Sequence, residues 1–459
     1  MTRREMIFRA GKGFAGAAFA SMIAEAQGQA AVAKAKNIIY IFNHGGVSHV
    51  DTFDPKPTLM RLSGECVPAS FAQGLKTSRI DFRKAIMRGS PWQFPKHGQS
   101  GLEISTLYPH LSKHADKLAV IRSCYSDAFD HAPAIFTSCT GSQFPGRPSL
   151  GSWLSYGLGS ENKNLPSFVV MSDGAMKSGA GAYGSGFLPA AYQGTMFRGG
   201  SKSPVLHLAN PPKINNAAQR ETLDFINDLN RGHFASREED STLDARIKAY
   251  ELAFRMQAEA PGAVDIGAES EATRKLYGVG EPLTDDFGRK CLLARRLVER
   301  GVRAVQLFFG TNLGDDWDDA HNDLLGSHNK MAGKSDKPIA ALLTDLQSRG
   351  LLDSTLVVWN SEFGRTPLAE GKNGRDHHPY GYSMWMAGAG IKGGRALGAT
   401  DEFGLRAIDQ PKSIHDVHAS ILRLMGVDHT KMTWRYQSRD VRLTDVHGEG
   451  EFTKWLLEG

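Results

Sequence analysis

The stretch Gly374–Gly381, "GRDHHPYG", sets an aspartate beside two adjacent histidines, His377 and His378, between an arginine and a proline. Four other segments carry the same residue types. "NHGGVSHVDTFDPKP" brings His44, His49, Asp51 and Asp54, and "SDAFDHAP" brings Asp127, Asp130 and His131. "WDDAH" holds Asp318 and His321 three positions apart, which places both on one face if the segment is helical. "NSEFGRTP" holds Glu362 and Arg365. Neutral imidazoles and carboxylates together are the ligand set of borderline divalent cations such as zinc or manganese. An arginine fork suits the oxygens of a phosphate or sulfate ester. One histidine or aspartate in a loop is commonly a cap or turn residue. The recurrence over five segments is what points to a metal site.

Chemistry of this kind needs a frame that gathers distant segments. Short apolar, β-branched runs predict strands at 37–42, 117–123, 166–172, 303–310, 354–362 and 382–390. Residues 216–260 read as two charged helices ending at Pro261. Further helices are expected over 284–300, 336–352 (its start marked by Asp336 and Pro338) and 413–427, and 189–212 reads as irregular. Strands alternating with helices predict an α/β fold: a doubly wound, mostly parallel sheet with helices on both faces. Such sheets bind ligands at the carboxyl ends of their strands. Four of the polar segments follow a predicted strand, and "GRDHHPYG" immediately precedes one.

Composition narrows the function. The chain has 459 residues, 41% hydrophobic and 22% charged, with a net charge of +5 and no basic stripe, so a nucleic-acid partner is not expected. The cysteines, Cys66, Cys124, Cys139 and Cys291, form no CxxC pair, which excludes a zinc ribbon, and no haem, iron–sulfur or flavin motif is present. The start, "MTRREMIF", then "GFAGAAFASMIA" and Ala-x-Ala-like sites, reads as a twin-arginine export signal over residues 1–33. Its apolar run is too short and interrupted to span a bilayer, so the mature chain is expected to be periplasmic or extracellular without a stable membrane span. One domain over 36–459 is expected, with a helical insertion around 189–260. No sequence feature sets an oligomeric state.

The motifs "GGVSHVDTFDPKP", "WDDAH", "VVWNSEFGRTP", "GRDHHPYGYSMWMAGAGIKGG" and "GATDEFG" resemble an exported family, domain of unknown function 1501, in the alkaline phosphatase superfamily that includes the sulfatases. The resemblance covers nearly all of the mature chain. It implies an alkaline phosphatase-like sheet and a hydrolase acting on a small or polymeric phosphate or sulfate ester. "HAPAIFTSCTG" is similar to the sulfatase segment bearing the nucleophile, with His131 at the nucleophile position. "VVWNSEFG" is similar to a strand ending in Asp-His-Gly that supplies two metal ligands; here Glu362 takes the Asp position and Phe363 the His position. The departures are a missing hydroxyl or modifiable cysteine at residue 131, a phenylalanine that cannot ligate, and Asn43-His44 where an aspartate would stand. A rebuilt site is therefore expected, holding one or two ions of zinc, manganese or calcium on Asp51, His49, Asp318, His321, Glu362 and His378. His131 would act as ligand, acid–base group or nucleophile, Arg365 as ester clamp, and His377 as substrate contact or outer partner. Water activated by the metal, or assistance from His131, would drive hydrolysis. The alternative is a non-catalytic binding protein of the same fold for an anionic polysaccharide or a partner.

Overall fold

The computed structural model describes residues 34–458 apart from 83, 202, 207, 209, 211, 236–240, 312–314 and 449–450, so the expected export segment, 1–33, lies outside the described residues. Strands β1 (Asn37–Asn43), β2 (Ala119–Cys124), β3 (Phe168–Ser172), β4 (Thr195–Phe197), β5 (Ala304–Phe309), β6 (Thr355–Ser361), β7 (Tyr382–Gly388) and β8 (Arg395–Leu397) form one sheet in the order β8-β2-β7-β6-β1-β5-β3-β4. Every pairing in it is parallel except the two that β7 makes, with β2 and β6. The main helices are α1 (His131–Thr140), α2 (Leu150–Leu158), α3 (Asn216–Ala235), α4 (Ser241–Val264), α5 (Asp285–Glu299), α6 (Leu324–Ser348) and α7 (Ile414–Leu424).

The central strands are largely apolar because both faces of the sheet are covered there. All seven residues of β1 are buried. Ile39 and Ile41 enter one core with Leu292 and Leu297 of α5 and Ile339 and Leu342 of α6. Ile38, Tyr40 and Phe42 enter the other with Trp153 of α2 and Val417 and Ile421 of α7. Alternation along the strand thus builds a three-layer, doubly wound α/β domain. Among the described residues no helix is long and apolar enough to cross a membrane.

Three expectations about elements are corrected. Helix α6 begins at Leu324, not Asp336: the Asp323 carboxylate caps it by accepting the Gly326 N–H at 3.0 Å, and Pro338 lies in its interior. Pro338 removes one backbone bond, while the buried Met331, Ile339 and Leu342 hold the helix on the sheet. Helix α4 runs through Pro261 to Val264. The stretch expected to be irregular contains β4, an edge strand paired only with β3.

The parallel strands put the segments after β1, β2, β3, β5 and β6 at one end of the sheet. Because β7 runs the other way, the residues that precede it, His377 and His378, arrive at that same end.

Candidate metal centre

Beyond β5 a short 3-10 turn, Trp317–His321, presents Asp318 and His321 together. Helix α1 opens with His131, and a two-residue strand, His377–His378, pairs with Gly364–Arg365 beyond β6. These elements meet around Asp318 Oδ1. Nε2 of His131 lies 2.9 Å from it, Nε2 of His377 3.0 Å, and Nε2 of His321 3.3 Å. The Nε2 atoms of His321 and His377 are 2.9 Å apart. Two overlapping groups of candidate ligands occur among the described residues, His131–Asp318–His377 and His321–Asp376–His377.

The outer nitrogen of each ring is pinned. His131 Nδ1 meets Glu362 Oε1 at 2.8 Å, His377 Nδ1 donates to the Phe129 carbonyl at 2.7 Å, and His321 Nδ1 contacts Glu370 Oε2. A carbonyl or carboxylate only accepts, so each Nδ1 keeps its proton, and a ring in its neutral form then turns an Nε2 lone pair inward. Burial holds His377 down at about 3, outweighing the hydrogen bond to Asp318 that favours its charged form, so this ring is neutral. Inward lone pairs 2.9 Å apart repel unless a proton or a cation lies between them. Ligand atoms bound at ~2.0–2.1 Å to one ion stand roughly 2.9–3.4 Å from each other, for angles from a right angle to the tetrahedral value. The distances on Asp318 Oδ1 and between the two rings fall in or beside that range. Asp318 and His377 together with either His131 or His321 therefore stand at distances that fit a divalent ion.

Close packing sets these distances. Gly45, just after β1, has φ +114°, and a Cβ there would lie 2.5 Å from the Asp318 nitrogen. The same glycine donates its N–H to Glu362 Oε1 at 2.7 Å. Phe363 packs on both His131 and His377, with ring centroids 5.2 and 4.5 Å away. In the position where the resemblance implies a ligand, it is an apolar wall.

The carboxylates are strongly biased to the charged form. Burial pushes Glu362 up, but the hydrogen bond and charge of His131 and the charge of His44 bring it down to about 2. Asp318 is likewise raised by desolvation and lowered further by its three histidines and Arg365, ending far below the usual carboxylate range. Between these two anions His131 is held above its ordinary value, their hydrogen bonds overcoming its burial. Asp318 Oδ2 faces outward and pairs with Lys177 Nζ at 2.7 Å; Asp318 is 21% and Lys177 25% exposed in their side chains.

Of the expected ligands, Asp318 and His321 stand in the cluster, and so do His131 and His377, which were expected in catalytic roles. Glu362 lies one step behind, orienting His131. His378, His49 and Asp51, expected as ligands, lie apart from this cluster. His378 neighbours His377 in a strand, so its ring points to the opposite side. There it is buried, bonds the Leu405 carbonyl through Nε2 at 2.8 Å, and stacks on His49 at 5.8 Å; His49 in turn bonds the Gly404 carbonyl at 2.9 Å. Asp51 is buried and paired with Arg375 Nε at 2.8 Å and Nη2 at 3.2 Å. Arg365, expected as an ester clamp, is fully buried, with its donors on Gly46 O at 3.0 Å, Gly45 O, Arg375 O at 3.2 Å and Asp318 Oδ1 at 2.7 Å. It holds Asp318 from within. Asp376 accepts the backbone N–H groups of Arg79 at 2.6 Å and Ile80 at 3.2 Å. Lys177 and Glu370 are site residues that the sequence motifs do not mark. Lys177 lies in "SDGAMKSG" beyond β3, where the strand-end rule would have found it; Glu370 had only its nearness to the histidine pair as a signal.

Fold and site together define a doubly wound α/β protein with a histidine-rich candidate metal centre at the carboxyl ends of its strands. The chain belongs to the family described as protein of unknown function (DUF1501), whose model matches residues 35–451. No curated protein matches it. Solved structures similar to it include the lipoteichoic acid synthase LtaP from Listeria monocytogenes, at 10% identity and TM-score 0.37, covering 90% of this chain and 76% of that one. Alkaline phosphatase from the Antarctic bacterium TAB5 has 11% identity and TM-score 0.36, covering 85% and 98%. The PsFucS1 sulfatase from Pseudoalteromonas sp. has 11% identity and TM-score 0.35, covering 89% and 71%.

Proposed function

We propose that this protein is an exported, metal-dependent hydrolase of a phosphate or sulfate ester, with one divalent ion held by Asp318, His131, His321 and His377. The observation that carries the reading is the convergence of three imidazole Nε2 atoms on Asp318 Oδ1, each ring with its Nδ1 pinned by an acceptor-only group. The nitrogen-rich donor set suits zinc or manganese; calcium, which takes oxygen ligands, fits it poorly. Because both candidate groups contain His377, they support one ion rather than two. Export rests on the Arg3-Arg4 signal layout.

When bound, such an ion supplies water acidified towards neutral pH and polarises an ester oxygen. The chain's own residues do the rest. Glu362 keeps the His131 proton on Nδ1. Arg365 fixes Asp318 while Phe363 keeps water from the inner side of the rings. Lys177, at the exposed side, offers an ammonium to an incoming anion. With Nδ1 on Glu362 and Nε2 placed as a ligand beside Asp318, His131 has no free nitrogen, which favours attack by water over attack by His131 itself.

The test is turnover of aryl phosphate, aryl sulfate and phosphodiester probes by the zinc- or manganese-loaded protein, beside Asp318→Asn. The reading expects hydrolysis of at least one probe, lost in the variant while the fold persists. A metal-loaded parent inert to all of them from acid to alkaline pH would contradict hydrolysis and favour a binding protein for an anionic polysaccharide.

A further inference from the structure

His321 is held from outside the cluster by a turn that neither the sequence motifs nor the family resemblance singled out. Glu370 and Gly374 close that turn with two reciprocal backbone bonds of 2.9 Å. The turn is laced to the segment carrying Asp318 and His321: Arg375 N–H donates to the Ala320 carbonyl, and Leu324 N–H to the Asn373 carbonyl, each at 2.9 Å. The fit leaves no slack, since a Cβ on Gly374 would stand 1.8 Å from the His321 carbonyl oxygen. From this braced position Glu370 Oε2 contacts His321 Nδ1, while its other oxygen lies 3.7 Å from Arg79 Nη1.

The chemistry follows from the partner's nature. An ionised carboxylate has no proton to give, so it keeps the His321 proton on Nδ1 and fixes the ring plane. Nε2 then points its lone pair at the position shared with His377 and Asp318. Without that anchor the ring can place its proton on Nε2 and lose its donor. We propose that Glu370 is a positioning residue: it sets the tautomer and orientation of His321 and thereby the affinity of the centre for its ion. The inference rests on the metal-centre reading above and adds a residue to it.

Zinc affinity, measured by competition with a chromophoric chelator, tests it in the parent, Glu370→Ala and Glu370→Gln. Thermal unfolding of the three metal-free proteins and the imidazole ¹⁵N shifts of His321 are recorded alongside. Loss of an outer partner typically costs roughly 10–100-fold in metal affinity, and this is expected of Glu370→Ala. The glutamine carbonyl can still accept the Nδ1 proton, so Glu370→Gln should recover most of that loss. The ¹⁵N shifts should report a proton on Nδ1 in the parent and in Glu370→Gln, and mixed tautomers in Glu370→Ala. A merely structural role predicts instead a lowered midpoint in both variants with equal affinities. Zinc bound as tightly by Glu370→Ala as by the parent would overturn the inference while leaving the metal centre intact. A parent that binds no zinc would overturn the metal-centre reading and Glu370's role with it.

Discussion

Two neighbouring regions of this protein use the same side chains to opposite ends. Around Asp318, three histidines aim their Nε2 atoms at one oxygen, and the carboxylate's other oxygen reaches solvent beside Lys177. On the other side of the His377–His378 strand, His378, His49 and Asp51 are fully buried, and their bonded atoms end on carbonyls or on Arg375. In the first region pinning each outer nitrogen leaves convergent lone pairs. In the second, hydrogen bonds and an ion pair hold loops together. A cluster of histidine and aspartate becomes a candidate site when its remaining lone pairs converge, and sequence proximity is a poor guide to that.

The comparison can be broken from either side. The largest effect is expected from Asp318→Asn. It removes the charge on which all three imidazoles converge, so the loss of zinc affinity should exceed the roughly 10–100-fold typical of an outer partner, as read by metal titration. On the other side, Arg375→Met leaves the Asp51 carboxylate buried and unpaired. Breaking a buried pair in this way costs about 3–5 kcal/mol, visible as a lowered denaturation midpoint, with metal stoichiometry unchanged in the folded protein. The same pair sets an acid limit. Burial alone would raise Asp51, but the Arg375 charge, with His328 and Ser48, holds it below its ordinary value. A depressed carboxylate contributes stability that is present above its unfolded value and is lost as pH falls through the folded one. Stability should therefore fall with acid below about pH 4, and that part of the fall should vanish in Asp51→Asn, Arg375→Met. The smallest effect is expected at Lys177. Its pair with Asp318 is partly exposed and worth at most about 1 kcal/mol, so Lys177→Gln should tighten zinc binding by roughly fivefold or less by removing a competing cation.

Much of the fold was legible in the sequence because the strands are buried on both faces. Runs such as "NIIYIF" and "VVWNSE" stand out without any alternation to decode. What misled were signals that a neighbour overrides: Pro338 and Pro261 read as helix boundaries, yet both helices continue through them. The site was legible as a set of segments but not as a set of atoms. Strand-end logic brought Asp318, His321, His131, Glu362 and the histidine pair to one edge of the sheet. It did not tell His377 from His378, because the two-residue strand that points them apart pairs with Gly364–Arg365, a local pairing that no apolar pattern marks. Arg365 was read by its chemistry alone, while its role follows from burial beneath Asp318. Lys177 and Glu370 sit in polar turns, where an unremarkable residue acquires its role only from what the fold brings beside it.

The most direct measurement is elemental analysis of the protein purified without chelator, beside His377→Ala and His378→Ala. The account predicts near-stoichiometric zinc or manganese in the parent and in His378→Ala, and loss of it in His377→Ala. Metal retained in His377→Ala and lost in His378→Ala, or no metal in a folded parent, would contradict it.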